Sequence, residues 1–461
     1  MNPQNIENFL EFEKKSRINK ISYNSQPIWP LIRHSIYTYL HNPELRNAVE
    51  LDYKKNKRTS SKRNILALLK SFKTFSGIFK KTDIVIFSGE KVLSMGKVNC
   101  NPLLWDFYNS LKNNYDITVI DPYGVKHPKE IHKKTIDVSQ VLSLGRYLSS
   151  YFQSKLWFKC SEKLDRKIIR YSSEKIPWTR IYSNTYINHK LLSFITKCII
   201  LIKAPLFIIF SDSGSFSSVI KTAKKYNVIT IDYQHAQQSG QNILYRHDNS
   251  LKQRTFLVDY IFSFGEYWNK YFIKTSKVKT VGNYVFEYLS GFHKDVQKNK
   301  KSVMIISDNN YCRNELVELA MNIVKRLKDY KVYYKLRPEE YQSWESSYPI
   351  DMVNSVNIKF IDNENKGLYY YLKKSNYVIG MNSTVLIEAI PFTNVIVYEV
   401  GWFFEMMEFI NSGYILSSAN RNKIIEIIEK NLVASNTIDK NKLFRKNTKE
   451  NILNTINQLA K

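Results

Sequence analysis

The sequence predicts two consecutive α/β domains, each a doubly wound parallel sheet, preceded by a helical basic region. Three observations carry that expectation. From Thr82 onward, short continuous apolar runs alternate with helix-length stretches, as parallel strands buried on both faces require. The polar segment KDVQKNKK (294–301) interrupts the pattern, and the same alternation restarts after it. The length of 461 residues also suits several domains. The expected boundaries are 1–81 for the helical basic region, 82–293 for the first sheet domain and 294–461 for the second.

Residues 7–17 and 29–40 show helix-like spacing, and 51–63 form a polar, charge-rich connector. In 64–81, NILALLKSFKTFSGIFKK, the apolar residues Ile65, Leu68, Leu69, Phe72, Phe75 and Phe79 share one helical face, with Lys70, Lys73, Lys80 and Lys81 elsewhere or at its end. A basic amphipathic helix can lie on an anionic membrane surface; a core-facing stripe is the alternative. DIVIFSG (83–89) and YDITVIDPYG (115–124) read as strands, and a helix-rich stretch follows from about 137 to 203. LFIIFSDSG (206–214), NVITIDYQHA (227–236), 258–268 and 277–286 continue the first sheet. The second is expected from strands at 302–308, 330–338, 356–362, 376–384 and 394–400, with helices at 313–329, 365–374 and 385–390. Helices at 422–432 and 448–459 close the chain.

One stretch, 191–210, is apolar enough to suggest a membrane span. It carries Lys197 and Lys203 and is broken by Pro205, so a helix ending near Lys203 followed by a buried strand is the expectation. The N-terminus lacks a basic region followed by an apolar one, so no secretory signal is expected. Cys100, Cys160, Cys198 and Cys312 are scattered without metal-site spacing, which argues against a zinc site or disulfide framework and fits a reducing cytoplasm. With 69 Lys and Arg against 41 Asp and Glu, the chain carries a net charge of +28. Such a charge implies a polyanionic neighbourhood, whether nucleic acid, an anionic membrane or a phosphate-bearing substrate. Compositional drift toward Lys, Asn and Ile is the alternative.

The chemistry-bearing residues cluster at predicted strand ends, where doubly wound sheets bind ligands. NYVIGMNSTVLIEAI (376–390) runs from a strand through a turn into a helix. Asn382, Ser383 and Thr384 would offer backbone N–H groups and hydroxyls to a phosphate, and Glu388, one turn on, would reach ribose hydroxyls. Ser383 or Thr384 as a simple N-cap is the competing explanation. Upstream, VYYKLRPEE places Lys335 and Arg337 at a strand end on the same side of the extended chain. Two cations and a helix start would neutralise a diphosphate leaving group without a metal. In the first domain, IDYQHAQQSGQ puts His235 at a strand exit, suited to take a proton from a sugar hydroxyl. Asp212, the second catalytic candidate, and Ser213 in FSDSG would line the acceptor side with Gln234; a turn and N-cap for the following helix is the competing explanation for Asp212 and Ser213.

Taken in order, YQHAQ, DYIFSFGEYW, KTVGNYVFE, KLRPEE and IGMNSTVLIEA resemble the skeleton of GT-B glycosyltransferases. The order is similar, more narrowly, to bacterial capsule and surface-polysaccharide transferases and CDP-glycerol glycerophosphotransferase-like enzymes. The resemblance covers about residues 83–400. It implies two Rossmann-like domains facing a cleft, His235 as base, and donor phosphates held by the 335–337 strand end and the 382–388 helix start. Two departures stand out. The glycine that usually follows the histidine is Ala236, and Arg337 replaces the basic strand-end histidine.

The implied protein is a metal-independent glycosyltransferase at the inner face of a bacterial membrane. It would move a sugar from a nucleotide-activated donor, itself the substrate, to a growing polysaccharide or lipid-linked glycan, and would need no separate cofactor. A polyol-phosphate transferase and a nucleotide-sugar epimerase are alternatives on the same fold. A nucleic-acid-binding protein is the alternative of another class, disfavoured because the 32 Tyr and 25 Phe are spread through predicted core elements and no nucleic-acid module is recognisable.

Overall fold

The computed structural model describes residues 3–41, 81–89, 93–95, 98–151, 153–210, 216–234, 238, 242–246, 255–272, 276–293, 295–308, 312–362, 367–401 and 403–461. The connector at 51–63, the amphipathic stretch 64–80, Asp212, Ser213 and His235 lie outside the described residues.

Two units emerge. The first comprises residues 1–235, 240–283 and 447–461, and the second 236–239 and 284–446. Among the described residues, the first holds a seven-stranded sheet: β1 (Ile84–Phe87), β2 (Ile117–Asp121), β3 (Thr135–Asp137), β4 (Phe207–Phe210), β5 (Ile229–Tyr233), β6 (Tyr260–Ser263) and β7 (Lys277–Thr280). Their spatial order is 7-6-5-4-1-2-3, all parallel. The second holds β8 (Asn299–Ile306), β9 (Lys331–Lys335), β10 (Ile358–Ile361), β11 (Ser375–Gly380), β12 (Asn394–Tyr398) and β13 (Leu416–Ser418), ordered 10-9-8-11-12-13 and again parallel. Counted from its own first strand, each sheet has the doubly wound Rossmann order. The order reverses between β1 and β4 in one unit and between β8 and β11 in the other.

The central strands are apolar throughout because they are covered on both faces. Every residue of β1 and β4 is buried, so neither shows the alternation of a half-exposed strand. The stretch 191–210 resolves into helix Ile187–Lys203, ended by Ala204 in the left-handed region at φ 48°, and the buried strand β4. No described helix is long and apolar enough to cross a membrane.

The structure departs from the sequence expectation at several elements. β3 and β13 are three-residue edge strands, and no apolar run announces them, because each pairs on one side only. The run 277–286 is a strand only to Thr280. Gly282 (φ 111°) redirects the chain, and a helix starts at Tyr284. The polar segment 294–301 already contains the start of β8.

The N-terminal helices α1 (Pro3–Ser16) and α2 (Trp29–His41) are an integral part of the first unit. Ile6, Phe9, Trp29, Ile32 and Ile36 share one apolar core with Trp157, Trp178, Tyr182 and Tyr186. The terminal helix Thr448–Leu459 also belongs to this unit: Tyr115 donates to Asn457 Oδ1 (2.6 Å) and Asn451 to the carbonyl of Val281 (3.0 Å).

Candidate functional site

In the second unit, the reversal between β8 and β11 brings three adjacent strand ends together: Ser307 after β8, Arg337 beyond β9, and the 381–384 turn after β11. A buried carboxylate organises the first two. Glu340, 3% exposed, accepts from the Arg337 backbone N–H (2.7 Å), the Tyr348 hydroxyl (2.6 Å) and the Ser307 hydroxyl (3.1 Å). Arg313, the first residue of the helix Arg313–Arg326, stands 3.6 Å from the same carboxylate and over the Tyr348 ring. A carboxylate can be buried here because its lone pairs are met by donors and its charge by a guanidinium.

Arg337 is thereby fixed at its backbone, and its Nε donates to the Ser307 carbonyl (3.2 Å). About a third of the side chain remains exposed, with Nη1 3.8 Å from Glu339. The guanidinium therefore lies at the carboxyl edge of β8, with donor capacity left for an anion.

Lys335 behaves differently. Its ammonium folds back on the strand ends, donating to the carbonyl of Leu336 (2.8 Å) and the Tyr341 hydroxyl (2.7 Å), with the carbonyls of Asp362 and Ile361 at 3.4 and 3.5 Å. The expectation of two equivalent phosphate-facing cations is not what the geometry contains. Carbonyls at the ends of β9 and β10 attract the shorter-range ammonium, while Arg337 lies past the strand. Burial pushes Lys335 down to about 8, against the pull of Asp362 and Glu340.

At the β11 exit, Ser383 caps the helix Thr384–Ala389, its hydroxyl accepting from the Val385 N–H (3.3 Å). The capping explanation thus accounts for that bond of Ser383. Thr384 is exposed and Asn382 half-buried. Gly401 (φ 61°) lies after β12, where a Cβ would come within 2.7 Å of Cys312 Sγ. Only glycine combines that backbone conformation with so close an approach.

Glu388, half-buried on the same helix, accepts from the Tyr369 hydroxyl (2.6 Å). Burial raises it to about 7, with the tyrosine hydrogen bond opposing. Since that value lies above the unfolded 4.5, the stability this group contributes is complete below 4.5 and lost as pH climbs through 7. Glu388→Gln stays neutral throughout. Its unfolding free energy from urea denaturation should therefore exceed the wild type's at pH 8, by up to about 3 kcal/mol, and converge with it near pH 4.5. A difference independent of pH would refute burial as the cause.

In the first unit, β5 delivers Gln234, which is fully buried. Its backbone N–H donates to the Phe262 carbonyl (3.0 Å), and its side-chain oxygen accepts from the Phe264 N–H (3.0 Å). That side chain joins the ends of β5 and β6, so its expected acceptor contact gives way to a supporting role. Tyr233 is equally enclosed, its hydroxyl bonded to Asp106 (3.1 Å) and the Gly282 carbonyl (2.9 Å). Downstream, residues 242–246 are also fastened. Arg33 donates to the carbonyls of Ile243 (2.7 Å) and Arg246 (2.6 Å), and Tyr245 to Asp232 (2.8 Å). Residues 233–234 before His235 and 242–246 after it are therefore held by hydrogen bonds.

Sequence reasoning missed Ser307, Arg313, Glu340 and Tyr348. Glu340 stands inside the quoted KLRPEE motif, and an acidic residue three positions after a basic strand end is the signal that would have found it. It also passed over a dyad in the first unit. Asp121, at the end of β2, accepts from His127 Nε2 (3.1 Å) and from the N–H groups of Tyr123, Gly124 and Val125. Burial alone would raise Asp121, but the His127 and backbone hydrogen bonds outweigh it and hold it below the usual carboxylate value.

No protein-family model and no curated protein matches the chain. Among solved structures, it is similar to UDP-GlcNAc 2-epimerase from Methanocaldococcus jannaschii at 13% identity and a TM-score of 0.49, over 82% of this chain and 99% of that one. It is also similar to the α,α-trehalose 6-phosphate synthase of Burkholderia multivorans, at 11% identity and a TM-score of 0.45, over 82% and 98% of the two chains. A third likeness is to the glycosyltransferase of kitacinnamycin, at 8% identity and a TM-score of 0.44, over 82% and 95%.

Proposed function

We propose that the chain is a glycosyltransferase that moves a sugar from a nucleotide-activated donor onto a growing surface polysaccharide. The observation that carries this reading is the meeting of Ser307, Arg337 and the 381–384 turn at the strand reversal of a Rossmann-ordered sheet, where such sheets bind nucleotides. Arg337 binds the donor diphosphate directly, and Thr384 and Asn382 complete that contact. Lys335 contributes charge from behind the strand end, and Glu388 receives the ribose. His235 takes the proton of the acceptor hydroxyl, with Asp212 and Ser213 on the acceptor side. As the acceptor oxygen bonds to the anomeric carbon, the bond to the diphosphate breaks, and the negative charge that develops there is met by Arg337. Attack opposite the leaving group inverts the anomeric centre. A polyol-phosphate transferase would use the same phosphate contacts.

Calorimetric titration with a nucleoside diphosphate tests the donor half. Arg337→Ala should weaken binding by about ten- to a hundred-fold, the worth of a charge-assisted hydrogen bond. Because Lys335 titrates near 8, wild-type affinity should fall as pH rises through that value, and Lys335→Met should flatten the profile. Turnover should continue in a metal chelator. Unchanged affinity in Arg337→Ala, or turnover abolished by chelator and restored by a divalent metal, would overturn the phosphate site as described.

A further inference from the structure

We infer that the outer face of two packed helices in the first unit, Ile187–Lys203 and Ser217–Lys225, docks onto an anionic lipid bilayer. The inference rests on this face alone and holds whether or not the transferase reading does.

The first helix presents Lys190, Phe194, Lys197 and Leu201 at spacings of four, three and four residues, hence along one stripe. Phe194 and Leu201 are 65% and 63% exposed, and Ile202 and Leu206, at the helix end and just beyond, 39% and 48%. The helix Ser139–Tyr151 packs against it through Gly145, where a Cβ would collide with Leu191, and adds the exposed Tyr147 and Leu148. Scattered apolar residues are ordinary on a protein surface; several sharing one helix and its neighbour are not.

Beside the stripe lies a groove of about 700 Å³. Lys190, Lys197, Lys221, Lys224 and Lys225 line it, and no lining residue is acidic. Lys224 is paired with Asp259 (3.1 Å), Lys221 lies over the Phe256 ring, and Lys197 and Lys225 are exposed. Burial and the neighbouring Lys221 charge lower Lys190, so Lys190 and Lys221 repel one another and gain from a counter-charge.

Charge complementarity limits the partner to an anion, and the apolar stripe selects among anions. A nucleic acid or acidic glycan would neutralise the lysines but leave Phe194 and Leu201 in water. An anionic bilayer takes both: lysines reach the phosphate layer on flexible stems while aromatic and aliphatic side chains enter the acyl boundary.

The test is flotation of the full-length chain with vesicles of phosphatidylcholine alone or mixed with phosphatidylglycerol, at two salt concentrations. Binding to the mixed vesicles only, weakened by salt, is expected. The triple variant Lys197→Gln, Lys221→Gln, Lys225→Gln should lower the partition coefficient by roughly a hundred-fold, from the contribution of each lysine near such a surface. Phe194→Ser with Leu201→Ser should lower it by about ten-fold or more. All five positions are on the surface, and unchanged circular dichroism and thermal midpoints would establish that the variants remain folded. Equal binding to both vesicle types would overturn the inference. So would unaltered vesicle binding in the triple variant when it loses affinity for a polyanion such as heparin, or in the double variant. Loss of binding confined to Lys70→Gln, Lys73→Gln, Lys80→Gln, Lys81→Gln would assign the membrane contact to the 64–81 stretch instead.

Discussion

His235→Ala should lose about 10²–10⁴-fold in kcat, the contribution of a placed general base, with donor affinity and folding nearly unchanged. A sugar hydroxyl is far too weak an acid to be ionised near pH 7, so attack needs a group that receives the proton as the new bond forms. His235→Gln, which keeps a hydrogen bond without the basicity, should lose nearly as much. The strand exit before it is held by buried Tyr233 and Gln234, and residues 242–246 after it are tied to Arg33. A change at His235 should therefore act on the chemistry and leave the surrounding framework in place. Single-turnover rates with donor saturating make the measurement. Retention of more than about a tenth of wild-type turnover, against the loss expected of a missing base, would make His235 structural and Asp212 the next candidate.

Arg33→Ala should cost about 3–5 kcal/mol in stability. Arg33 and Glu13 are buried at 4% and 1% exposure and paired through two contacts, at 2.5 and 2.9 Å, with Trp29 Nε1 also on Glu13 (2.5 Å). Removing the guanidinium leaves an enclosed carboxylate without its counter-charge and frees the carbonyls of Ile243 and Arg246. The combined variant Glu13→Leu, Arg33→Met should recover a large part of the loss, since it leaves no unpaired charge. A double-mutant cycle by urea denaturation reads the coupling. A single-variant cost below about 1 kcal/mol, the scale of an exposed pair, would show that the pair is not the anchor described. The cycle has a functional reading too. Because Arg33 fastens the segment that follows His235, the recovered double variant should regain stability before it regains turnover.

The N-terminal region shows where sequence reasoning stops short. Helical spacing in 7–17 and 29–40 correctly indicates α1 and α2. Nothing in a local pattern reveals that Arg33 bonds to Ile243 and Arg246, some 210 residues away. That pairing exists only once the helices close on the first unit's core.

The same division runs through the donor site. Apolar runs made β8, β9, β11 and β12 legible, because strands buried on both faces must be apolar throughout. The edge strands β3 and β13 left no such mark, since one side of each meets solvent or loop. Alternation brought Lys335 and Arg337 to a strand end, yet it treats side chains as independent of what surrounds them. Packing decided that the Lys335 ammonium turns to carbonyls at the ends of β9 and β10, that Ser383 serves as a cap, and that Glu340 anchors Arg337. By itself the sequence determined the order of the central strands, the two doubly wound sheets and the strand ends that carry polar residues, since these follow from local periodicity and chain connectivity. Which polar groups meet there, and which are spent on satisfying the backbone, only the tertiary structure decided: a buried donor or acceptor must find a partner within about 3 Å, and those partners come from strands far apart in the chain.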